Sequence, residues 1–225
     1  MKLSSNTVEI LKNFALINPS MLFRQGEVQR AVSSEKTVLA KATIAESFTK
    51  EFAIYDLTQF INTLSLFEDA ELDHSANDKY VVIKNNSAKT KFFYANKELI
   101  LKPPEKDYVI PDSVQTVAFD LSAAALAATI KAANILQLPE IALICENGQV
   151  SFCSVDSQNV NSNTFEYPVG CAEGNHKMMF KVDNLKILSR DYSVVVTTKG
   201  IAHFKAKSGD VEYWIATEAP KKKSQ

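Results

Sequence analysis

A proline-containing segment near the middle of the chain constrains the fold more than any other feature. Residues 101–115 contain Pro103, Pro104 and Pro111, with charged residues between them. Proline lacks a backbone donor and is excluded from helix interiors and central strands. A chain of 225 residues is also long enough for two domains of about 110 residues each. We therefore predict an N-terminal domain of residues 1–108, a C-terminal domain of residues 109–225, and a linker at about 101–115.

Four amphipathic helices are predicted, two in each half of the chain. Apolar residues recur at helical spacing in each of them. Asp56 and Asp120 are good N-cap residues for the second and third helices. Leu3, Leu57, Leu121 and Val182 stand at the start of the four helices, about 60 residues apart, which indicates a duplicated unit. The predicted helices cover about 4–17, a stretch that starts at 56 and includes Leu64, about 120–136 and about 182–189.

Eight strands are predicted from runs of β-branched and aromatic residues between turn signals. Asn147-Gly148 is typical of a type I′ hairpin turn. Together these patterns predict an α+β fold in which each half contains two strand-helix-strands units, with sheets on one side and helices on the other. The predicted strands are 38–44, 80–83, 90–94, 141–145, 150–155, 194–198, 202–206 and 211–217.

Composition excludes several classes of function. The net charge of −1 argues against a protein that holds nucleic acid by charge alone. No run reaches the roughly 18 apolar residues of a membrane span. An odd number of cysteines without metal-ligand spacing predicts reduced thiols, with Cys145 and Cys153 buried. The three histidines lie in unrelated contexts, and phosphate-binding and nucleophile motifs are absent from the sequence. We therefore predict no enzyme activity, metal site or cofactor.

Basic residues on the outer helix faces are candidates for contact with phosphates. Lys12, Lys131, Lys186 and Arg190 fall opposite the apolar stripes of their helices. Such contacts would be independent of base sequence. The alternative is that they belong to an ordinary solvated surface. The run Lys221-Lys222-Lys223 is predicted to be a disordered tail.

Two N-terminal segments resemble the sliding clamp of T-even-type bacteriophages, the processivity factor of their DNA polymerase. Met1-Lys2-Leu3-Ser4, followed by residues 11–15 and Ile17-Asn18, resembles the opening of that clamp. Residues 53–57, with Phe60 and residues 64–66, resemble its second helix. The length and the two-domain plan also agree, whereas beyond Leu101 the similarity is one of pattern.

The resemblance implies a DNA-clamp fold in which three subunits close head to tail into a ring around duplex DNA. Helices would line the ring interior and sheets would form its outside. Lys12, Lys131, Lys186 and Arg190 would then face DNA, joined by Lys2 and Lys181. Because attachment would be topological, a weak net charge would be sufficient. The protein would act in the cytoplasm of a host bacterium.

The resemblance also implies protein partners. These are the replicative DNA polymerase, an ATP-dependent clamp loader and late-transcription factors. An apolar pocket near the linker would receive partner peptides, with Val109, Ile110, Trp214 and Ile215 as its candidate residues. The alternative for Trp214 is a place in the core.

Two other functions stay open on the sequence. One is a nucleic-acid-binding module that is independent of sequence and does not form a ring, which would need a basic groove with stacking aromatic residues. The other is an enzyme of unfamiliar type, which would need a pocket of convergent ionisable groups.

Overall fold

The computed structural model describes residues 1–75, 77–159 and 161–218. Lys221-Lys222-Lys223, the predicted tail, lies outside the described residues. The chain divides into two compact units, Met1–Glu105 (unit 1) and Lys106–Gln225 (unit 2). The domain limits of 1–108 and 109–225 stay a prediction, because compactness does not show that each half folds independently.

Unit 1 contains two α-helices and seven strands. The three-residue strands β1 and β4 pair with each other, β2 pairs with β3, and β5, β6 and β7 form a three-stranded sheet, all antiparallel. A 3-10 helix, Lys97–Leu99, follows β7. The elements are α1 Ser5–Ile17, β1 Met21–Phe23, β2 Gly26–Val32, β3 Val38–Phe48, β4 Phe52–Ile54, α2 Leu57–Leu64, β5 Glu71–Asp73, β6 Tyr80–Lys84 and β7 Lys89–Phe93.

The described residues of unit 2 form one α-helix and eight strands. Two antiparallel sets of four strands form, in the orders β11-β10-β9-β12 and β15-β14-β13-β8. Short 3-10 helices cover Asp112–Val114 and Val182–Leu185. The elements are β8 Gln115–Leu121, α3 Ala123–Leu136, β9 Glu140–Glu146, β10 Gln149–Val155, β11 Phe165–Cys171, β12 His176–Lys181, β13 Tyr192–Thr197, β14 Ile201–Ala206 and β15 Val211–Ala216.

The α+β class is confirmed, and each of the eight predicted strands corresponds to an observed one. Asn147 and Gly148, with φ angles of 52° and 80°, form the predicted hairpin turn, because a type I′ turn needs positive φ at both central residues. Seven further strands were not predicted: β1, β2, β4, β5, β8, β11 and β12.

The third helix begins later than its sequence predicts. Asp120 lies in β8, where its carboxylate accepts hydrogen bonds from Lys207 Nζ at 2.7 Å and from Ser193 Oγ at 3.1 Å. These bonds, that with Lys207 foremost, lower the pKa of Asp120. Ser122 is the true N-cap and accepts from the backbone N–H of Ala125. Ser4 has the same role for α1, where it accepts from the N–H of Thr7. The repeated start signal of α1 and α3 is therefore Leu-Ser.

The predicted fourth helix is wrong, because only the 3-10 helix Val182–Leu185 forms there. Beyond it, the backbone of Leu188 bonds to side chains from two strands. Its carbonyl accepts from Tyr192 Oη at 2.6 Å, and its N–H donates to Tyr213 Oη at 3.3 Å. These bonds satisfy the backbone groups that a continuing helix would have used. Leu188 is still buried, as its pattern predicted.

Each unit has an aromatic core. In unit 1, the Phe23 and Phe52 rings stack at 4.6 Å between centroids, and Phe48 and Phe60 meet Phe23 edge-on. In unit 2, Phe180 lies between Phe152 and Phe204, and Tyr192 packs against Phe204. Cys145 and Cys153 are buried free thiols, as predicted, and Cys171 is exposed. Burial raises the pKa of Cys153 to about 11.

A half-buried histidine packs against the aromatic core of unit 1. The His74 ring lies 4.8 Å from that of Phe52, and its Nδ1 is 2.8 Å from Tyr94 Oη. Its Nε2 is buried without a hydrogen-bond partner among the described residues. Burial lowers the pKa of His74 to about 4, and the positive charges of Lys50 and the N-terminus add to this, against a smaller opposite effect of Asp73. The folded chain therefore favours the neutral imidazole.

Acid should destabilise unit 1 through His74. The unfolded histidine titrates near 6.5 and the folded one near 4. The contribution of neutral His74 to the stability of the fold is therefore complete above pH 6.5, and it is lost as the pH falls from 6.5 towards 4. Between about pH 7 and pH 4.5, the free energy of unfolding should fall by about 1–2 kcal/mol more in the wild type than in His74→Gln. Urea unfolding followed by far-ultraviolet circular dichroism measures this difference. Parallel losses in the two proteins would assign the acid sensitivity to other groups.

Candidate nucleic-acid and partner interfaces

Helix α1 presents a lysine to solvent in unit 1. Ile10, Leu11 and Phe14 are fully buried, so helical periodicity places Lys12 on the outer face. Lys12 is exposed and has no ion pair within the described residues. The exposed positions Thr58, Gln59 and Asn62 of α2 carry no charge. On these two helices, Lys12 is therefore the cation best placed to meet an external anion.

Helix α3 presents a similar surface in unit 2. Its buried residues include Leu126, Thr129 and Ala133, and Lys131 is exposed on the opposite side without an ion pair to any described residue. Ala124 and Ala127 are also exposed. Small side chains beside a free cation allow a large anionic surface to approach the helix closely. The predicted outer face of α3 is therefore confirmed as exposed.

The four other predicted cations already have acidic partners. Three of these pairs join residues that are distant in the sequence, whereas Lys186 and Asp183 are only three positions apart. Each pair reduces the positive charge that the side chain offers to an external phosphate. The pairs are Lys2–Asp69 at 3.7 Å, Lys181–Glu218 at 3.7 Å, Lys186–Asp183 at 2.7 Å and Arg190–Asp210 at 3.7 Å. Arg190 does not lie on a helix, in contrast to its prediction.

The four predicted pocket residues differ in accessibility. Val109 is 79% exposed on the linker, and Ile110 is half-buried. Ile215 is fully buried in β15, and Trp214 keeps only 7% of its surface exposed. The Trp214 indole stacks on His203 at 4.7 Å, and His203 Nε2 lies 2.9 Å from Glu212 Oε2. This corrects the expectation that the two β15 residues line an open pocket: Ile215 presents no surface, and Trp214 is mostly core.

Two edge strands form surfaces that sequence reasoning missed. In unit 1, β7 ends the β5-β6-β7 sheet, and in unit 2, β11 ends its sheet. The exposed residues of β7 are Lys89, Lys91 and Phe93, the last 65% exposed. Those of β11 include Glu166. A sequence pattern shows that a strand exists but not which strands flank it, so it held no signal for a free edge.

The described residues contain no cluster of three or more histidine, cysteine or carboxylate side chains able to hold a metal ion. Among the same residues, no helix has the length and apolar character of a membrane span.

Similarity to known proteins decides the family. Residues 2–100 match the family described as DNA polymerase processivity factor, and residues 118–219 match the C-terminal part of the gp45 sliding clamp. The sliding clamp of Vibrio phage KVP40 is 37% identical over 97% of this chain and 100% of its own length. The chain belongs to the phage sliding-clamp family. The clamp of Escherichia phage RB69 is 28% identical over 97% of each chain.

Solved structures confirm the clamp fold. A structure of A. fulgidus PCNA with the C-terminal region of FEN-1 bound superposes with a TM-score of 0.71 at 14% identity and 98% coverage of both chains. This clamp is therefore a processivity factor for a DNA polymerase and a non-enzymatic scaffold, as its sequence predicted.

Proposed function

We propose that this clamp closes head to tail with two further copies into a ring that encircles duplex DNA and holds the replicative polymerase on it. The observation that carries the proposal is that β7 of unit 1 and β11 of unit 2 each end a sheet and carry side chains of opposite charge. Lys89 and Lys91 are exposed on β7, and Glu166 is exposed on β11. If β7 of one copy pairs with β11 of the next, every copy uses both edges once. A head-to-tail contact of this kind closes into a ring when its rotation allows.

Duplex DNA would meet the helices inside this ring. Lys12 on α1 and Lys131 on α3 are exposed and have no ion pair to a described residue, and both are suited to phosphates rather than bases. Weak contacts permit sliding, because the ring and not the charge prevents release. The net charge of −1 is compatible with this topological attachment. Lys2, Lys181, Lys186 and Arg190 would contribute less, because their charges are already paired.

Partner proteins would dock near the linker. Val109 is 79% exposed in an extended segment, which suits recognition of a short peptide with an apolar anchor. The similar A. fulgidus structure holds the C-terminal region of FEN-1, which supports the same mode for polymerase peptides here. We infer that an ATP-dependent clamp loader opens the ring and that late-transcription factors use the same platform. The setting would be a host bacterial cytoplasm, since the relatives are phage proteins.

The second candidate is a nucleic-acid-binding module that does not form a ring. It is favoured by the exposed lysines on α1 and α3, which would contact DNA in either case. A module of this kind would bind short linear duplexes without a loader, and its affinity would fall steeply with salt. A ring would slide off the same duplexes.

Molar mass in solution tests the ring directly. Light scattering over a dilution series should give about 75 kDa at high concentration, three copies of the 24.9-kDa chain. Dissociation at low concentration is compatible with the proposal, because the two edges would pair only a few residues each. A mass near that of one chain at every concentration would exclude the ring and make the binding module the leading function.

A further inference from the structure

A depression of about 420 Å³ lies beside α3 in unit 2. Leu126, Ile130 and Ile187 supply apolar surface to it, and Lys131, Asn134 and Ile135 also line it. Ile135 is 68% exposed and adds accessible apolar surface to the depression. The site therefore combines apolar walls with a free cation.

The depression exists because the two units complete their helix layers differently. In unit 1, α1 packs against α2, a helix of 8 residues with an apolar stripe of Leu57, Phe60, Ile61 and Leu64. In unit 2, the corresponding element is the 3-10 helix Val182–Leu185, of only 4 residues. The backbone of Leu188 is then held by Tyr192 and Tyr213. The flank of α3 consequently lacks the helical turns that cover the flank of α1.

We propose that the depression binds a short amphipathic helix of a partner protein, with aliphatic side chains in the depression and a carboxylate against Lys131. A helix is the expected occupant because unit 1 fills the same place beside α1 with one. An acidic partner is expected because Lys131 is exposed and has no ion pair with any described residue, while Asp183 of the 3-10 helix is paired with Lys186. Helix-in-groove recognition uses apolar residues at positions i, i+3, i+4 and i+7.

Other occupants fit the site less well. Residues 219–225, which lie outside the described residues, read Ala-Pro-Lys-Lys-Lys-Ser-Gln. Three lysines and the lack of a large apolar side chain make them a poor match for apolar walls beside Lys131. Duplex DNA could use Lys131, but its phosphates gain nothing from Ile130, Ile135 or Ile187. The inference goes beyond the proposed function. Only one consequence of it, competition between the partner helix and DNA for Lys131, would rest on that function.

Fluorescence anisotropy with a designed peptide tests the proposal on the full chain. The probe is a fluorescein-labelled peptide of about 14 residues, near the length at which isolated helices form, with Leu at i, i+3, i+4 and i+7 and Glu between them. A scrambled peptide of the same composition is its control. We expect micromolar binding of the helical peptide and at least tenfold weaker binding of the scrambled one. Lys131→Glu and Ile135→Ser should each weaken binding by about tenfold.

Lys199→Glu is the matched control variant, since Lys199 is an exposed lysine of the same unit in the turn between β13 and β14. It should bind the helical peptide as the wild type does. Equal binding of the two peptides, or an equal loss in Lys199→Glu, would overturn the proposal in favour of nonspecific charge. If a short labelled duplex binds in place of the peptide and Ile135→Ser weakens it, the depression belongs to the DNA surface and the proposal is wrong.

Discussion

Phe93→Asp should dissociate the proposed trimer into monomers while leaving each chain folded. In the proposed ring, the β7 edge of one copy lies against β11 of the next, so an aspartate at this position would lose its hydration beside apolar groups and Glu166. Such a change should weaken association by at least about 100-fold, or ~2.7 kcal/mol. Phe93 is 65% exposed in the single chain, so the free energy of unfolding should change by no more than about 1 kcal/mol. Light scattering and urea unfolding measure the two effects.

Leu66→Asp is the matched control for this variant. Leu66 is also a large exposed side chain of unit 1, at 76%, but it follows α2 and belongs to no strand. Leu66→Asp should remain trimeric. A Phe93→Asp protein with the wild-type mass, or equal dissociation of both variants, would remove β7 from the interface.

Reversing the two free helix lysines should abolish most processive synthesis without opening the ring. In Lys12→Glu/Lys131→Glu, carboxylates would replace the cations proposed to face phosphates, so repulsion should oppose both loading and sliding. We expect the length of product made on a primed circular template, with polymerase and loader present, to fall by at least about tenfold. Both positions are exposed, so the mass in solution and the unfolding curve should stay close to those of the wild type.

Lys79→Glu/Lys199→Glu carries the same change of charge at one exposed lysine in each unit, outside the helices. Its product lengths should match those of the wild type. If both double variants fail alike, the effect is one of overall charge. If neither shortens the products, α1 and α3 do not face DNA.

Local patterns predicted the parts of this fold that local forces determine. The alternation in β6 and β14 and the Asn147-Gly148 turn are visible in the sequence because period-two burial and positive φ each favour particular residues. Strands of three residues, such as β1 and β5, are too short to show a period. Asp120 was mistaken for a cap because any acidic residue before a helix fits the signal, whereas the alternating burial of β8 keeps it in the strand.

The candidate site residues also divide into those that local patterns reveal and those that depend on the fold. Lys12 and Lys131 were found because helical periodicity alone places them outside. The pairing of Lys2 with Asp69 and of Arg190 with Asp210 depends on chain reversals that a single sequence does not reveal. The fourth helix failed for the same reason, because Tyr192 and Tyr213, which hold Leu188, come from strands later in the chain.

The residues at the edges of β7 and β11 also affect whether single subunits aggregate. An unpaired edge is a template onto which any extended chain can add, and this is a common route to aggregation. Two β7 edges that approached each other would bring Lys89 and Lys91 against their own copies, so like charges would oppose that match. On β11, Pro168 removes one N–H from the strand, which shortens the stretch that a stray chain could join. The same residues that favour the correct neighbour would thus keep newly made subunits apart until that neighbour arrives.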